Sequence, residues 1–449
     1  MDQFAIPHNT IWHQEKTCYE ISRYHSFWID NENMEFKEKL SAWKGYKISG
    51  NFKPVLFKSA VSYLLERHES LRSTFLTVGG KYYITVEDAG SFETEFIDGR
   101  NLDPLKERSV NSLFYFEDHE FDIQKGPLFL ARVIQVGNEE YLASFKLHHA
   151  IYDSWSLGIM VRDLYTAYLS FVSGVMPNLP SLKFQYKGWL NFKRHLLGEN
   201  YVLRKEYWSS LYGSRPQELL LPGVKRPEAA SLCRQGQKDA FYLLADDREK
   251  IQALAKKYHT SLFVVLQAAF MLYLSRLTGQ PDILIGTMLH GRSDLKGIID
   301  QIGFYAYTDL IRTIFDKEDS LDQAILKVKR SNDDMNLYND YTLLMALTDL
   351  HAPGSGMDQI FWNVNLEYMD SAGHPEDGPS PQSFSSPDVR IDPVPWKNPA
   401  MVTNMDLKLK FDNKKDKMEI RVLYDCSLYD THIIAGLMDG YLKYINEYE

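Results

Sequence analysis

The letters with the most chemistry in this chain are His148 and His149, with Asp153 four residues on from the second imidazole. A neutral imidazole can take a proton near neutral pH, adjacent imidazoles can suggest a metal, and a histidine pair can also be plain structure. If the flanking β pattern runs through both histidines, their side chains point to opposite faces and do not readily share one metal ion. No other His or Cys lies close by in sequence to complete a zinc site, so metal binding is disfavoured. The same alternation shapes the remaining readings: one ring packs inward as a satisfied structural group, and the other faces a cleft at a strand end. For an isolated pair, packing is favoured over catalysis, and the surroundings have to decide.

Some chemistries drop out. No Gly-x-Ser-x-Gly elbow occurs, which disfavours a serine-hydrolase nucleophile. Gly354-Ser355-Gly356 lacks a third glycine and a suitable preceding strand, so neither a phosphate-cradling loop nor a nicotinamide fingerprint is supported.

The elements that must position the pair can be read from periodicity. Tyr141 to Leu147 alternates as a strand and runs straight into His148. A long helix follows, with Leu157, Met160, Val161, Leu164, Ala167, Tyr168 and Phe171 on one stripe and Gly174 at its end. Upstream, a helix starts at Pro54 and ends near Arg67-His68-Glu69-Ser70-Leu71-Arg72. Two strands then turn at Gly79-Gly80.

Pro177, Pro180, Pro216, Pro222 and Pro227 punctuate a connection that holds a helix-like stretch around Gly188 to Leu211. The second half repeats the grammar: a buried helix at Leu262–Leu274 capped by Thr260 or Ser261, a turn at Gly279-Gln280-Pro281-Asp282, and a strand at Ile283–Thr287. Seven of the 18 prolines fall between Pro375 and Pro399, which predicts a long loop of the kind that serves as a lid or latch.

Bulk composition sets outer bounds. With 449 residues, two subdomains or one large composite fold are expected; we divide the chain at 178/179, into 1–178 and 179–449. A net charge of -10 with cations scattered among acids gives no footprint for nucleic acid. Cys18, Cys233 and Cys426 lie far apart, which supports neither a disulfide framework nor a zinc knuckle and fits a reducing cytoplasm. The first residues lack the basic-then-apolar pattern of a secretory signal, and the most apolar run is too short for a bilayer span, so no membrane association is expected.

The string from His148 to Ser156 resembles the HHxxxDGxS signature of condensation domains from nonribosomal peptide synthetases. Arg67 to Phe75 is similar to that family's RHExLRTxF, and Phe121-Asp122-Ile123 with Gly126-Pro127-Leu128 to its FDLxxGPL. Tyr207-Trp208, Leu221-Pro222 and Arg226-Pro227 match its linker. Gly286 to Arg292 is similar to GTxxxGR, and Ile302-Gly303-Phe304 with Thr308 and Arg312 to IGFFVNTxxxR. The matches keep the family's order across nearly the whole chain.

The resemblance implies an α/β fold: a V-shaped pseudo-dimer of two subdomains similar to chloramphenicol acetyltransferase, with a central tunnel. It implies a condensation enzyme that joins a carrier-bound acyl or peptidyl thioester to an amine or alcohol. The phosphopantetheine arm arrives on a donor carrier protein, the acceptor is a second carrier protein or a small free nucleophile, and the enzyme acts as a monomer with no permanently bound cofactor or metal. His149 is the catalytic ring, with His148 beside it; Asp153 is structural and pairs with Arg292. Arg67 and Arg72 tie the helix end to the core, and Trp155 and Tyr307 line the tunnel.

Heterocyclising relatives replace the histidines with aspartates, and epimerising relatives place tryptophan after the motif's serine; here Trp155 precedes Ser156. Ser154 replaces the usual glycine, where positive φ would suit serine poorly, and Tyr307 replaces an asparagine. These departures leave the acceptor open. Two other functions share the fold: a non-catalytic domain that binds carriers or recruits a partner, and a coenzyme-A-dependent acyltransferase.

Overall fold

The computed structural model describes residues 8–22, 29, 41–102, 109–213, 218–219, 221–224, 234–292, 297–338, 362–369, 384–386, 388–394, 402–403, 405–415 and 417–448. In chain order the first elements are β1 (Thr10–His13), β2 (Lys16–Glu20), β3 (Ser41–Gly50), α1 (Pro54–Arg67), β4 (Ser73–Val78), β5 (Lys81–Val86) and β6 (Glu95–Asp98). Next come α2 (Val110–Phe114), β7 (Phe129–Gln135), β8 (Glu140–His148), α3 (Ser154–Val172) and α4 (Tyr186–Gly213). Then follow β9 (Arg234–Leu243), α5 (Ala245–Lys257), α6 (Leu262–Thr278), β10 (Asp282–Leu289), β11 (Tyr307–Ile314), α7 (Leu321–Leu337) and β12 (Val364–Met369). Last are β13 (Phe384–Ser386), β14 (Val389–Val394), β15 (Val402–Thr403), β16 (Leu407–Asn413), β17 (Met418–Asp425) and α8 (Thr431–Asn446).

Two compact units result, and they interleave along the chain. The first comprises Met1–Glu199, Gly291–Ala306 and Pro375–Lys397; the second comprises Asn200–His290, Tyr307–His374 and Asn398–Glu449. A single cut after residue 178 does not describe them, because two later segments return to the first unit and supply partners for its sheet and for α3.

The first unit holds a six-stranded sheet in the order β13-β14-β3-β8-β7-β6 and a four-stranded sheet in the order β1-β2-β5-β4. The helix expected from Pro54 starts there, with proline in its first turn where no intrahelical N–H is required, and buries Phe57, Ala60, Val61, Leu64 and Leu65. Composition predicts loop throughout the proline-rich stretch, yet Val389–Val394 is a strand pairing antiparallel with β3. Pro393 is tolerated because β13 reaches only to Ile391, so the proline lies past the part flanked on both sides. Much of that stretch lies outside the described residues, as do Arg226-Pro227, Cys233 and Gly354-Ser355-Gly356.

The second unit is a seven-stranded sheet, β11-β10-β12-β16-β17-β9-β15. One apolar cluster joins α5, α6, α7 and α8 to alternate strand residues, among them Ile285, Ile311, Leu366, Leu409, Phe411, Ile420 and Val422. Each such side chain, fully buried, contributes about 1.5–3 kcal/mol. Ser261 caps α6, its side chain accepting from the Val264 N–H, and Gly279 ends the helix at φ 72°. Among the described residues no single helix is long and apolar enough to cross a membrane.

Candidate functional site

β8 delivers the histidine pair. The strand ends at His148, and His149 opens a one-turn 3-10 helix, His149–Ile151, before Asp153 caps α3. The rings are therefore separated by the end of the strand, not by pleat alternation continuing through both. His148 is 6 % exposed; its Nδ1 accepts from the Ala150 N–H at 3.2 Å, and Phe121 meets its ring edge-on at 5.9 Å. Burial, with the neighbouring His149 adding to it, pushes the His148 imidazole down to about 3. That ring is a neutral cap and cannot hold a proton near neutral pH.

His149 is half-buried. Tyr152 stacks on it at 4.7 Å between centroids and 20° between planes, and Phe304 lies perpendicular to it at 5.3 Å and 89°. Tyr152 is itself buried, and burial raises its phenol well above the ordinary value, so it stays neutral beside the imidazole. The helix N-cap explains the motif's spacing: Asp153 needs the end of a turn before α3 and so follows His149 by four residues.

Asp153 is fully committed. One carboxylate oxygen accepts from the Ser156 N–H at 2.8 Å, the Ser156 hydroxyl at 2.7 Å and Arg292 Nη2 at 2.8 Å; the other accepts from the Tyr305 N–H at 3.2 Å. Arg292 also donates to the carbonyls of Ile298 and Gln301 at 2.9 and 2.8 Å, and its guanidinium lies 4.2 Å from the Tyr305 ring centroid. Both side chains are buried, at 0 % exposure for Arg292 and 5 % for Asp153. The cation that the carboxylate needs is thus found 139 positions away in sequence.

A second buried carboxylate sits on the same helix. Asp163 receives Arg67 Nε at 2.9 Å, His68 Nε2 at 3.0 Å and Arg162 Nη2 at 2.8 Å, while Arg162 also reaches Asp300 at 2.8 Å. Burial alone would raise the Asp163 carboxyl; its partners outweigh that and hold it below its ordinary value. Arg72 donates to the carbonyls of Leu65 and Glu87. Both arginines of the RHExLR match thus tie the end of α1 to its surroundings.

Ser154 occupies the first position of α3, exposed and without positive φ, so the backbone there makes no demand for glycine. Trp155 Nε1 donates to the Ile299 carbonyl at 2.9 Å. Tyr307 opens β11 opposite Leu289 and is buried, in the second unit. In the GTxxxGR match, Gly286 is required by close approach: a Cβ there would lie 1.7 Å from Asn365 Oδ1 and 2.7 Å from Trp362 Nε1. The residues that sequence reasoning left without a role are Tyr152, Ser156, Phe304 and Tyr305. All four lie inside or beside the matched strings, but only tertiary contacts assign them partners. Among the described residues no group of three His, Cys, Asp or Glu could hold a metal ion.

The family model described as Condensation domain matches residues 26–448. A linear gramicidin synthase of Brevibacillus parabrevis is 31 % identical in one of its chains over 402 residues, which are 87 % of this chain and 8 % of that protein. The chain thus spans under a tenth of that relative's length. Solved structures share the fold, two of them as follows. One is the complex of the X-domain and OxyB from teicoplanin biosynthesis (TM-score 0.75, 18 % identity, 92 % of this chain and 89 % of that one). The other is the starter condensation domain of rhizomide synthetase (TM-score 0.70, 15 % identity, 95 % of each). With the histidine motif, its capping aspartate and the distant arginine brought together, and with the family model spanning nearly the full length, the chain belongs to the condensation-domain family of nonribosomal peptide synthetases.

Proposed function

We propose that the protein forms an amide bond between a carrier-bound acyl or peptidyl thioester and an amine, with His149 as the group that handles the proton. The amine nitrogen attacks the thioester carbonyl, the new C–N bond forms, and His149 takes a proton from nitrogen as the tetrahedral intermediate develops. The C–S bond then breaks, and the departing sulfur leaves as the thiol once it regains that proton. Backbone N–H groups near the start of α3 steady the oxyanion.

The observation that carries this reading is the division of labour along one short segment. Asp153 is taken up by Arg292, Ser156 and Tyr305, and His148 is a neutral buried cap, which supports the half-buried His149 as the segment's proton acceptor. The phosphopantetheine arm is part of the substrate, brought by a donor carrier; the acceptor is a carrier-bound aminoacyl group or a small free amine or alcohol. Trp155 and Tyr307 are proposed, from the sequence resemblance alone, as residues that contact substrate.

His149→Ala, assayed with an acyl-loaded carrier and an amine by mass spectrometry of the amide, is expected to lose about 10²- to 10⁴-fold in rate. Near-normal product formation would overturn the assignment. Running the wild type with coenzyme-A thioesters in parallel separates a carrier-dependent enzyme from a coenzyme-A-dependent one. A second reading, recruitment of a partner enzyme without bond formation, has the X-domain bound to OxyB on its side through the shared fold. It predicts no amide with any acyl carrier.

A further inference from the structure

Residues 303–305 are fixed through their backbone. Gly303 is buried, and a Cβ there would lie 2.4 Å from Tyr186 Cδ2 and 2.7 Å from Tyr305 Cε2, so the slot admits only glycine. Its N–H donates to Ser156 Oγ at 3.1 Å, and its carbonyl lies 2.7 Å from the same oxygen. The next carbonyl, that of Phe304, accepts from the Tyr186 hydroxyl at 2.6 Å, and the next N–H, that of Tyr305, donates to Asp153. Three consecutive residues are thus bonded to three buried side chains, and two of those belong to the segment that carries His149.

Ser156 has one proton and two lone pairs for four neighbours. It accepts from Arg292 Nη2 at 2.9 Å and from Gly303, and its one proton is shared between Asp153 and the Gly303 carbonyl. Its capacity is used in full, and it holds the Gly303 backbone against the cap of α3. What this arrangement holds up is Phe304, half-buried between two buried neighbours, whose ring lies perpendicular to His149 while Tyr152 covers a face of the imidazole. A ring with a parallel neighbour and a perpendicular one has little freedom to turn.

We infer that Phe304 is a positioning residue: it fixes the orientation of the His149 ring, and Ser156 acts through it by anchoring Gly303. The inference rests on the reading of His149 as the proton-handling group. Misplacing a reacting group by about an ångström costs up to about 100-fold in rate, so orientation alone can be worth a device of this kind.

The test compares wild type, Phe304→Leu and Phe304→Tyr in the full chain. Phe304→Leu is expected to lower kcat about 10-fold with KM changed less than about twofold, and Phe304→Tyr to recover most of the loss. In nitrogen-labelled histidine spectra, the His149 imidazole signals, identified by their absence in His149→Gln, should shift or broaden in Phe304→Leu and return in Phe304→Tyr. Unchanged imidazole signals, or a loss confined to KM, overturn the inference. Should His149→Ala retain normal activity, the reaction reading falls while the spectra still decide whether Phe304 orients the ring. If Phe304→Leu fails to fold, Ser156→Ala removes one hydroxyl and supplies the same two readouts.

Discussion

The surroundings of α3 in the first unit and of Gln267 in the apolar layer of the second unit bury polar groups in different ways. Around α3, charges are paired deep in the protein: Asp153 with Arg292, and Asp163 with Arg67, His68 and Arg162. Beside α6, Gln267, Thr287 and Asn332 are buried and neutral. Gln267 donates to Thr287 at 3.2 Å, and Asn332 donates to Gln267 at 3.1 Å, inside a cluster otherwise made of aliphatic and aromatic groups. A buried ion pair gives little net stability but makes one arrangement far better than its neighbours, whereas apolar packing supplies stability with less directional demand. The unit that carries the histidine motif has the directional kind beside it.

The comparison can be broken most decisively at Arg292. Arg292→Met strands Asp153 in a buried site and is expected to cost about 3–5 kcal/mol, read as a shift in urea midpoint. Adding Asp153→Leu should recover much of that loss, since the cost comes from the uncompensated charge. If the double variant is as damaged as the single one, the pair contributes attraction beyond mutual compensation. In the second unit, Leu409→Ala is expected to cost about 2–5 kcal/mol through a cavity while leaving kcat unchanged. A fall in kcat there would mean that the scaffold layer also tunes the reaction.

Within one pH unit below the ordinary imidazole value, the smallest effect is the pH dependence. The His148 imidazole falls from 6.5 to about 3 on burial, and His68 is also lowered, chiefly by burial. Below pH 6.5 the unfolded chain takes up protons that the folded one refuses, so stability is greatest above that pH. For His148 it declines by about 1.4 kcal/mol per pH unit as pH drops towards the folded value, and His68 adds in the same direction. Among the described residues the second unit buries no histidine. Hydrogen exchange followed as the pH falls should show β8 and α1 losing protection before β16 and β17; the reverse order would contradict the contrast.

Local pattern made part of this legible. The strand into His148, the cap at Asp153, the stripe of α3 and the Ser261–Gly279 ends of α6 all arise from neighbours in sequence. Arg292 could be reached only through resemblance, because nothing local ties a residue to a carboxylate 139 positions earlier. Ser156, Gly303 and Phe304 stood in the matched strings without a role, since their meaning lies in contacts between distant segments. Composition misled at Val389–Val394: prolines and serines on both sides read as loop, while the short Val-Arg-Ile core between them pairs with β3. Serine at position 154 reads from sequence as a disturbance of the backbone, but a first helical position accepts it without strain.

The order in which the ribosome makes the chain gives the distant pairing a further meaning. Asp153 is synthesised 139 residues before Arg292, and at roughly 5–20 residues per second the guanidinium follows on the order of ten seconds later. Until then Asp153 lacks its guanidinium partner, and an unpaired carboxylate favours hydration over burial. The sheet of the first unit waits longer still, until β14 is made to add to β3. The lobe begun first is therefore completed only after most of the other has been translated.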